Sequence, residues 1–266
     1  MRMKLADRAI AYDLLGPDGA PVICMTHSLS ADGGMWAEQV PALLAAGYRV
    51  LRLDMRGHGG SDALPGPYTM AALAGDAAAV LQRLALGRVH YVGLSIGGML
   101  GQAFALAHPE LLASAMWCDT LPATPAGTQG VWQGRIAAVR QAGSLAGLAD
   151  ATMERWFTPA FAGRNPKRFA EIREGIVATT AEGFMGCCAA IGNFDFTPAL
   201  PTLRLPLLVV CGDGDPGTPP EANRQIASLV PGARYEEIAD ARHFPNVEQT
   251  PAFNRILLGW LKTQNE

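Results

Sequence analysis

Short apolar runs alternate with helical patterns along most of this 266-residue chain, and that alternation narrows the fold more than any other feature. The runs are Pro21 to Thr26, Tyr48 to Asp54, Val89 to Gly93, Leu111 to Asp119, Leu205 to Gly212 and Ala233 to Ile238. Helical periods fall between most of them: Met35 to Ala46, Met70 to Leu86, Ile96 to Ala107, Glu221 to Val230 and Pro251 to Lys262. Strands that alternate with helices build a mostly parallel central sheet with helices on both faces, an α/β fold. In such open sheets, ligands bind outside the carboxyl ends of the strands. The alternation breaks once. From about Leu121 to Pro198 the sequence shows only helical segments (Val131 to Ala142, Leu145 to Trp156, Arg168 to Thr179, Glu182 to Ile191) separated by Gly and Pro. The expectation is one structural domain: a core of residues 1–120 and 199–266, with a helical cap of residues 121–198 inserted before the last strands.

Composition excludes several classes. Hydrophobic residues make up 49% of the chain and charged residues 17%, which suits a packed core and argues against disorder. A net charge of -3 without any Lys/Arg-rich block leaves no electrostatic footprint for nucleic acid. No apolar run reaches the length of a membrane span, and the first sixteen residues carry scattered charges rather than a signal-peptide core. The five cysteines are odd in number and three sit in apparent strands, so they read as buried free thiols of a reducing, cytoplasmic compartment. Cys187 and Cys188 are adjacent and lack metal-ligand spacing, so no metal site is expected.

One strand–helix junction carries chemistry. Gly93-Leu94-Ser95-Ile96-Gly97 matches G-x-S-x-G, in which a serine occupies a sharp strand-to-helix turn and its hydroxyl stands at the sheet edge. The bland alternative is a helix N-cap. Ser95 stands where a dinucleotide-binding fingerprint needs its second glycine, and no P-loop sequence occurs. A serine nucleophile needs a base, normally histidine. His108 closes the helix that Ser95 opens and so lies roughly 18–20 Å away at helical rise. His90 begins the strand that Ser95 ends, roughly 13–16 Å away. His27, His58 and His243 all follow strands. Of these, His243 best fits the chain order serine, acid, histidine. For the acid, Asp215 is preferred, with Asp119 and Asp213 as alternatives, since Asp after a strand is also an ordinary turn residue.

The segments "DMRGHGGSD", "VGLSIGG", "CGDGDPGTPP" and "DARHFPNVEQ", in this order, resemble the α/β-hydrolase superfamily. Within it the chain is most similar to the 3-oxoadipate enol-lactonases and related small lactonases and esterases. Further points of likeness are Met35-Trp36, Gly66 to Met70, Glu154 to Phe161 and Gly186 to Ile191. The resemblance implies Ser95 as nucleophile, Asp215 as acid and His243 as base, with the backbone N–H groups of Leu29 and Ile96 as the oxyanion hole. It implies a small ester or lactone substrate, an acyl-enzyme, and no cofactor. The enol-lactonases typically read Asn-Ser-Leu-Gly where this chain reads His27-Ser28-Leu29-Ser30. His27 is therefore read as a brace for the loop, and His58 as part of a structural turn. In the cap, Arg135 is the candidate partner for a substrate carboxylate, with Trp132 and Trp156 as apolar walls. The alternatives are a carbon–carbon bond hydrolase of ring-fission diketones on the same triad, and a ligand receptor that keeps the fold without turnover.

Overall fold

A computed structural model of the chain describes residues 1–264. Eight strands form one sheet: β1 (Arg2–Lys4), β2 (Ala9–Leu15), β3 (Val22–Thr26), β4 (Arg49–Leu53), β5 (Val89–Leu94), β6 (Leu112–Cys118), β7 (Leu207–Gly212) and β8 (Arg234–Ile238). Their spatial order is β1-β2-β4-β3-β5-β6-β7-β8. Strands β3 to β8 pair in parallel, while β2 runs antiparallel to both β1 and β4. The sheet is thus mostly parallel, with an antiparallel edge that the apolar-run pattern did not anticipate. Arg2, Lys4 and Asp13 interrupt that edge, and β2 is buried only in part.

Side-chain alternation along the strands divides the core in two. On β3, Val22 and Cys24 face one cluster and Ile23 and Met25 the other; on β7, Leu207 and Val209 oppose Leu208 and Val210. The first cluster packs against α2 (Met70–Arg83), α3 (Ile96–Ala107) and α9 (Pro220–Leu229), the second against α1 (Val40–Ala45) and α11 (Thr250–Lys262). Each fully buried aliphatic side chain in these layers contributes about 1.5–3 kcal/mol. The expected helix from Met35 begins later: Gly33–Trp36 form a separate 3-10 turn, and α1 starts only at Val40, with a proline in its first turn.

Between β6 and β7 lie α4 (Gln129–Ala142), α5 (Ala149–Trp156), α6 (Pro159–Arg164), α7 (Pro166–Ala178) and α8 (Ala181–Ile191), followed by a short helix α10 (Pro245–Glu248) beyond β8. The short α6 was not foreseen; its six residues open on Pro159 and stop at Arg164, before Pro166 starts α7. The two ends of this segment meet in a neck, where Thr124 N–H donates to the Phe194 carbonyl and Phe196 N–H to that of Pro122, both at 2.9 Å. Helix α8 also docks on the loop after β4. There Gly57 (φ +71°) approaches so closely that a Cβ on it would stand 2.2 Å from the Gly183 Cα. Thr180 Oγ1 donates to the Gly57 carbonyl at 2.8 Å across the same contact. A further tie runs through Glu248, whose carboxylate accepts from Thr158 N–H at 3.0 Å and from Arg242 N–H at 3.1 Å. It links the inserted helices to the loop that carries His243. The five cysteines are free and buried, and no helix among the described residues is long and apolar enough to cross a membrane.

Candidate active site

Ser95 closes β5 and opens α3 with φ +60° and ψ −119°, a region that non-glycine residues rarely occupy. Its side chain makes no capping hydrogen bond, which removes the N-cap reading. The turn is held from behind, because Ser95 N–H donates to the Cys118 carbonyl at 2.9 Å and Thr120 Oγ1 to the Ser95 carbonyl at 2.7 Å. The flanking glycines are required by space. A Cβ on Gly93 would meet the Gly97 carbonyl oxygen at 2.3 Å, and one on Gly97 would meet that of Thr26 at 2.5 Å.

His243 follows β8 and Asp215 follows β7, so the parallel register brings both to the sheet edge where Ser95 stands. His243 Nδ1–H donates to Asp215 Oδ2 at 2.7 Å. That bond fixes the tautomer and leaves the lone pair on Nε2. Asp215 also accepts from Gly217 N–H at 2.8 Å, Thr218 N–H at 3.1 Å and Thr218 Oγ1–H at 2.5 Å. Burial alone pushes this carboxyl up; the His243 charge and hydrogen bond, with the donors of Thr218 and Gly217, outweigh it and bring it down to about 2. Asp213 instead accepts from Ala241 N–H at 3.3 Å, and Asp119 lies behind the pair, fully buried.

Ser95, Asp215 and His243 share a cavity of about 180 Å³. Leu29, Trp132, Arg135 and Trp156 line it too. Ile96 does not: its side chain belongs to the core, and its backbone N–H stands at the start of α3. Trp156 stacks on Phe244 with ring centroids 4.1 Å apart, so the wall is fastened beside His243. Arg135 is half-buried with its guanidinium 4.6 Å from the Trp132 ring. The sequence reading missed Arg155, which lines the same cavity and donates to Thr152 Oγ1 at 3.0 Å. Burial, and then the charge of Arg135, pull its guanidinium below the usual range, while Glu154 opposes them. Among the described residues, neither arginine has a carboxylate within 4.0 Å. Its only signal in the sequence was its place beside Trp156.

The remaining histidines serve structure. His27 Nδ1–H donates to the Ser28 carbonyl at 2.8 Å and its Nε2 accepts from Met55 N–H at 2.8 Å. It pins the loop that leads into Leu29. His58 Nδ1–H donates to the Arg56 carbonyl at 2.9 Å, and burial together with neighbouring His27 pushes it down to about 3. His90 pairs with Ser114 at 2.9 Å, and His108 lies at the far end of α3. For a metal, only Asp119, Asp215 and His243 come within ligand range of one another among the described residues. The direct Asp215–His243 bond occupies the atoms that a cation would have to separate.

A family model described as the alpha/beta hydrolase fold matches residues 21–250. The chain belongs to the α/β-hydrolase family. The 3-oxoadipate enol-lactonase 2 of Acinetobacter baylyi is 32% identical over 97% of this chain and 95% of its own length. The crystal structure of an enol-lactonase from Burkholderia xenovorans superposes on this α/β-hydrolase with a TM-score of 0.94 at 36% identity, covering 98% of this chain and 100% of that one. A thermophilic esterase from Thermogutta terrifontis, solved with malate bound, gives a TM-score of 0.93 at 27% identity over all of both chains. The fold and the hydrolase family are those expected from the motifs.

Proposed function

We propose that this hydrolase opens a small carboxylic ester or lactone through Ser95, His243 and Asp215, and that its substrate is an enol-lactone of the 3-oxoadipate type. The observation that carries the reading is a strained serine without a capping role, sharing one cavity with a buried Asp–His pair. His243 Nε2 takes the Ser95 proton as Oγ attacks the carbonyl carbon, while Asp215 stabilises the imidazolium. The N–H groups of Leu29 and Ile96 receive the oxyanion, each donor worth on the order of 3 kcal/mol in the transition state. Collapse expels the alkoxide or enolate oxygen, which takes the proton from His243. Water, activated by the same imidazole, then frees the acid and restores Ser95. Residues 121–198 act as the cap that closes over the substrate.

The substrate class rests on two guanidiniums in the cavity without a carboxylate partner. A lactone with a free carboxylate would give them a shared anionic partner, and the similarity to enol-lactonases points the same way. The test is covalent labelling with an organophosphate, followed by mass spectrometry and a substrate panel. One adduct on Ser95 and no turnover by Ser95→Ala are expected, with the carboxylate-bearing enol-lactone preferred over simple lactones, aryl esters and ring-fission diketones. Labelling of a different serine removes the nucleophile assignment. Preference for a diketone replaces lactonase by carbon–carbon bond hydrolase, and binding without turnover makes the chain a receptor.

A further inference from the structure

Asp119 is a buried titratable group to which the proposed mechanism gives no role. It directly follows β6 at φ +44° with no exposed surface. One of its carboxylate oxygens, one of Asp215 and a ring nitrogen of His243 lie within 4.8 Å of one another. Its donors are few. Oδ1 accepts from Gly212 N–H at 2.9 Å, whereas Oδ2 is buried without a backbone donor among the described residues, and the weakly donating Cys211 thiol is the one other group that favours the charged form. The titratable groups around it are the thiols of Cys118 on β6 and Cys211 on β7, the Asp215 carboxylate and His243; no lysine or arginine is among them.

We infer that Asp119 is a neutral carboxylic acid at working pH, and that its O–H donates to the Asp215 carboxylate and positions it for His243. Two carboxylates this close in a dry site do not both ionise. Asp215 holds the four donors, so the charge settles there and the proton on Asp119. A hydrogen on Oδ2 also turns an orphaned acceptor into a satisfied donor. Burial first, and then the charge of Asp215, push the Asp119 carboxyl well above its ordinary range, in keeping with this geometry. Asp119 is thereby a positioning residue, one step removed from the reacting atoms.

This inference rests on the triad reading, and the experiment separates the two. Asp119→Asn keeps a neutral donor in place, so kcat/KM on a short-chain aryl ester should stay within about threefold of wild type. The acid limb of its pH profile should not move. Removing a real negative charge beside the imidazole would instead lower that limb, and a fall of about one unit or more refutes the inference. Asp119→Leu removes the donor and should cut kcat by about 10²-fold at unchanged KM, as a misplaced acid–base pair does; a folded Leu variant with wild-type kcat overturns the positioning role. Folding supplies a readout that survives failure of the Leu variant. The native chain keeps a proton that the unfolded chain releases above about pH 4, so wild type loses stability as pH rises. The Tm advantage of Asp119→Asn should therefore be near zero at about pH 4 and grow toward neutrality; a flat difference refutes a neutral Asp119. If Ser95→Ala retains turnover, the triad reading falls, whatever Asp119 does.

Discussion

Replacing Arg135 and Arg155 by alanine, singly and together, tests how this cavity chooses a substrate. Both guanidiniums are half-buried and neither has a carboxylate partner, so a bound carboxylate would find two charge-assisted donors that water screens only in part. A hydrogen bond to a charged group contributes about 1.5–3 kcal/mol. At about 2 kcal/mol each, one substitution should lower kcat/KM for a carboxylate-bearing lactone by about 30-fold. The double variant should lose at most about 10³-fold, the product of the single losses, and any shortfall from that product measures coupling through the shared carboxylate. The methyl ester of that lactone calibrates the rest. Arg135→Ala also removes the contact with the Trp132 ring, worth about 0.5–1 kcal/mol, and that loss falls on charged and uncharged substrates alike. The assay is kcat/KM for the lactone and its methyl ester, at low and at physiological ionic strength. The ratio between them should collapse in the variants, and in wild type it should shrink as salt rises. Equal losses on both substrates would refute the charge argument and make the arginines structural.

Two other perturbations follow from the geometry. Asp215→Asn should slow turnover by about 10⁴-fold, because the amide no longer holds the correct imidazole tautomer. In wild type the Asp215 carboxyl sits at about 2 against an ordinary 3.8, so its stabilisation is present above about pH 4 and is lost as pH falls toward 2; the Tm deficit of the Asn variant should shrink over that range, and a deficit constant with pH counts against the assigned shift. Gly57→Ala should destabilise the chain by about 2–4 kcal/mol in chemical denaturation, combining a left-handed backbone with a Cβ forced onto Gly183; a change below about 1 kcal/mol would mean that α8 is not seated there.

Which parts of this molecule were readable in advance follows from where each residue spends its side chain. Strands β3, β5 and β7 are buried on both faces, so they appear as uninterrupted apolar runs. Strand β2 is half-exposed and pairs antiparallel, so its run "AIAYDLL" carries a charge and no such signature. The Ser95 turn was legible because crowding there admits only glycine on either side. The choice among Asp119, Asp213 and Asp215 was not settled by spacing, because all three follow strands. It depends on Thr218 and Gly217, whose donors converge on Asp215 only after the loop has folded. Arg155 escaped notice for a related reason: helical periodicity says which residues share a face, and it does not say which cavity that face meets.

On the proposed mechanism, the backbone of Ser95 sets the interests of folding and of reactivity against each other. A left-handed serine of this kind carries about 1–3 kcal/mol of conformational strain, which Cys118 and Thr120 hold in place through the Ser95 N–H and carbonyl. Glycine at the same position would shed most of that strain, at a smaller entropic cost in the unfolded chain. Selection for thermal endurance alone would thus drift toward discarding the very hydroxyl that the site is built around. Stabilised descendants of this chain have to draw their gains from elsewhere, and a screen that scores only heat resistance would favour inert ones.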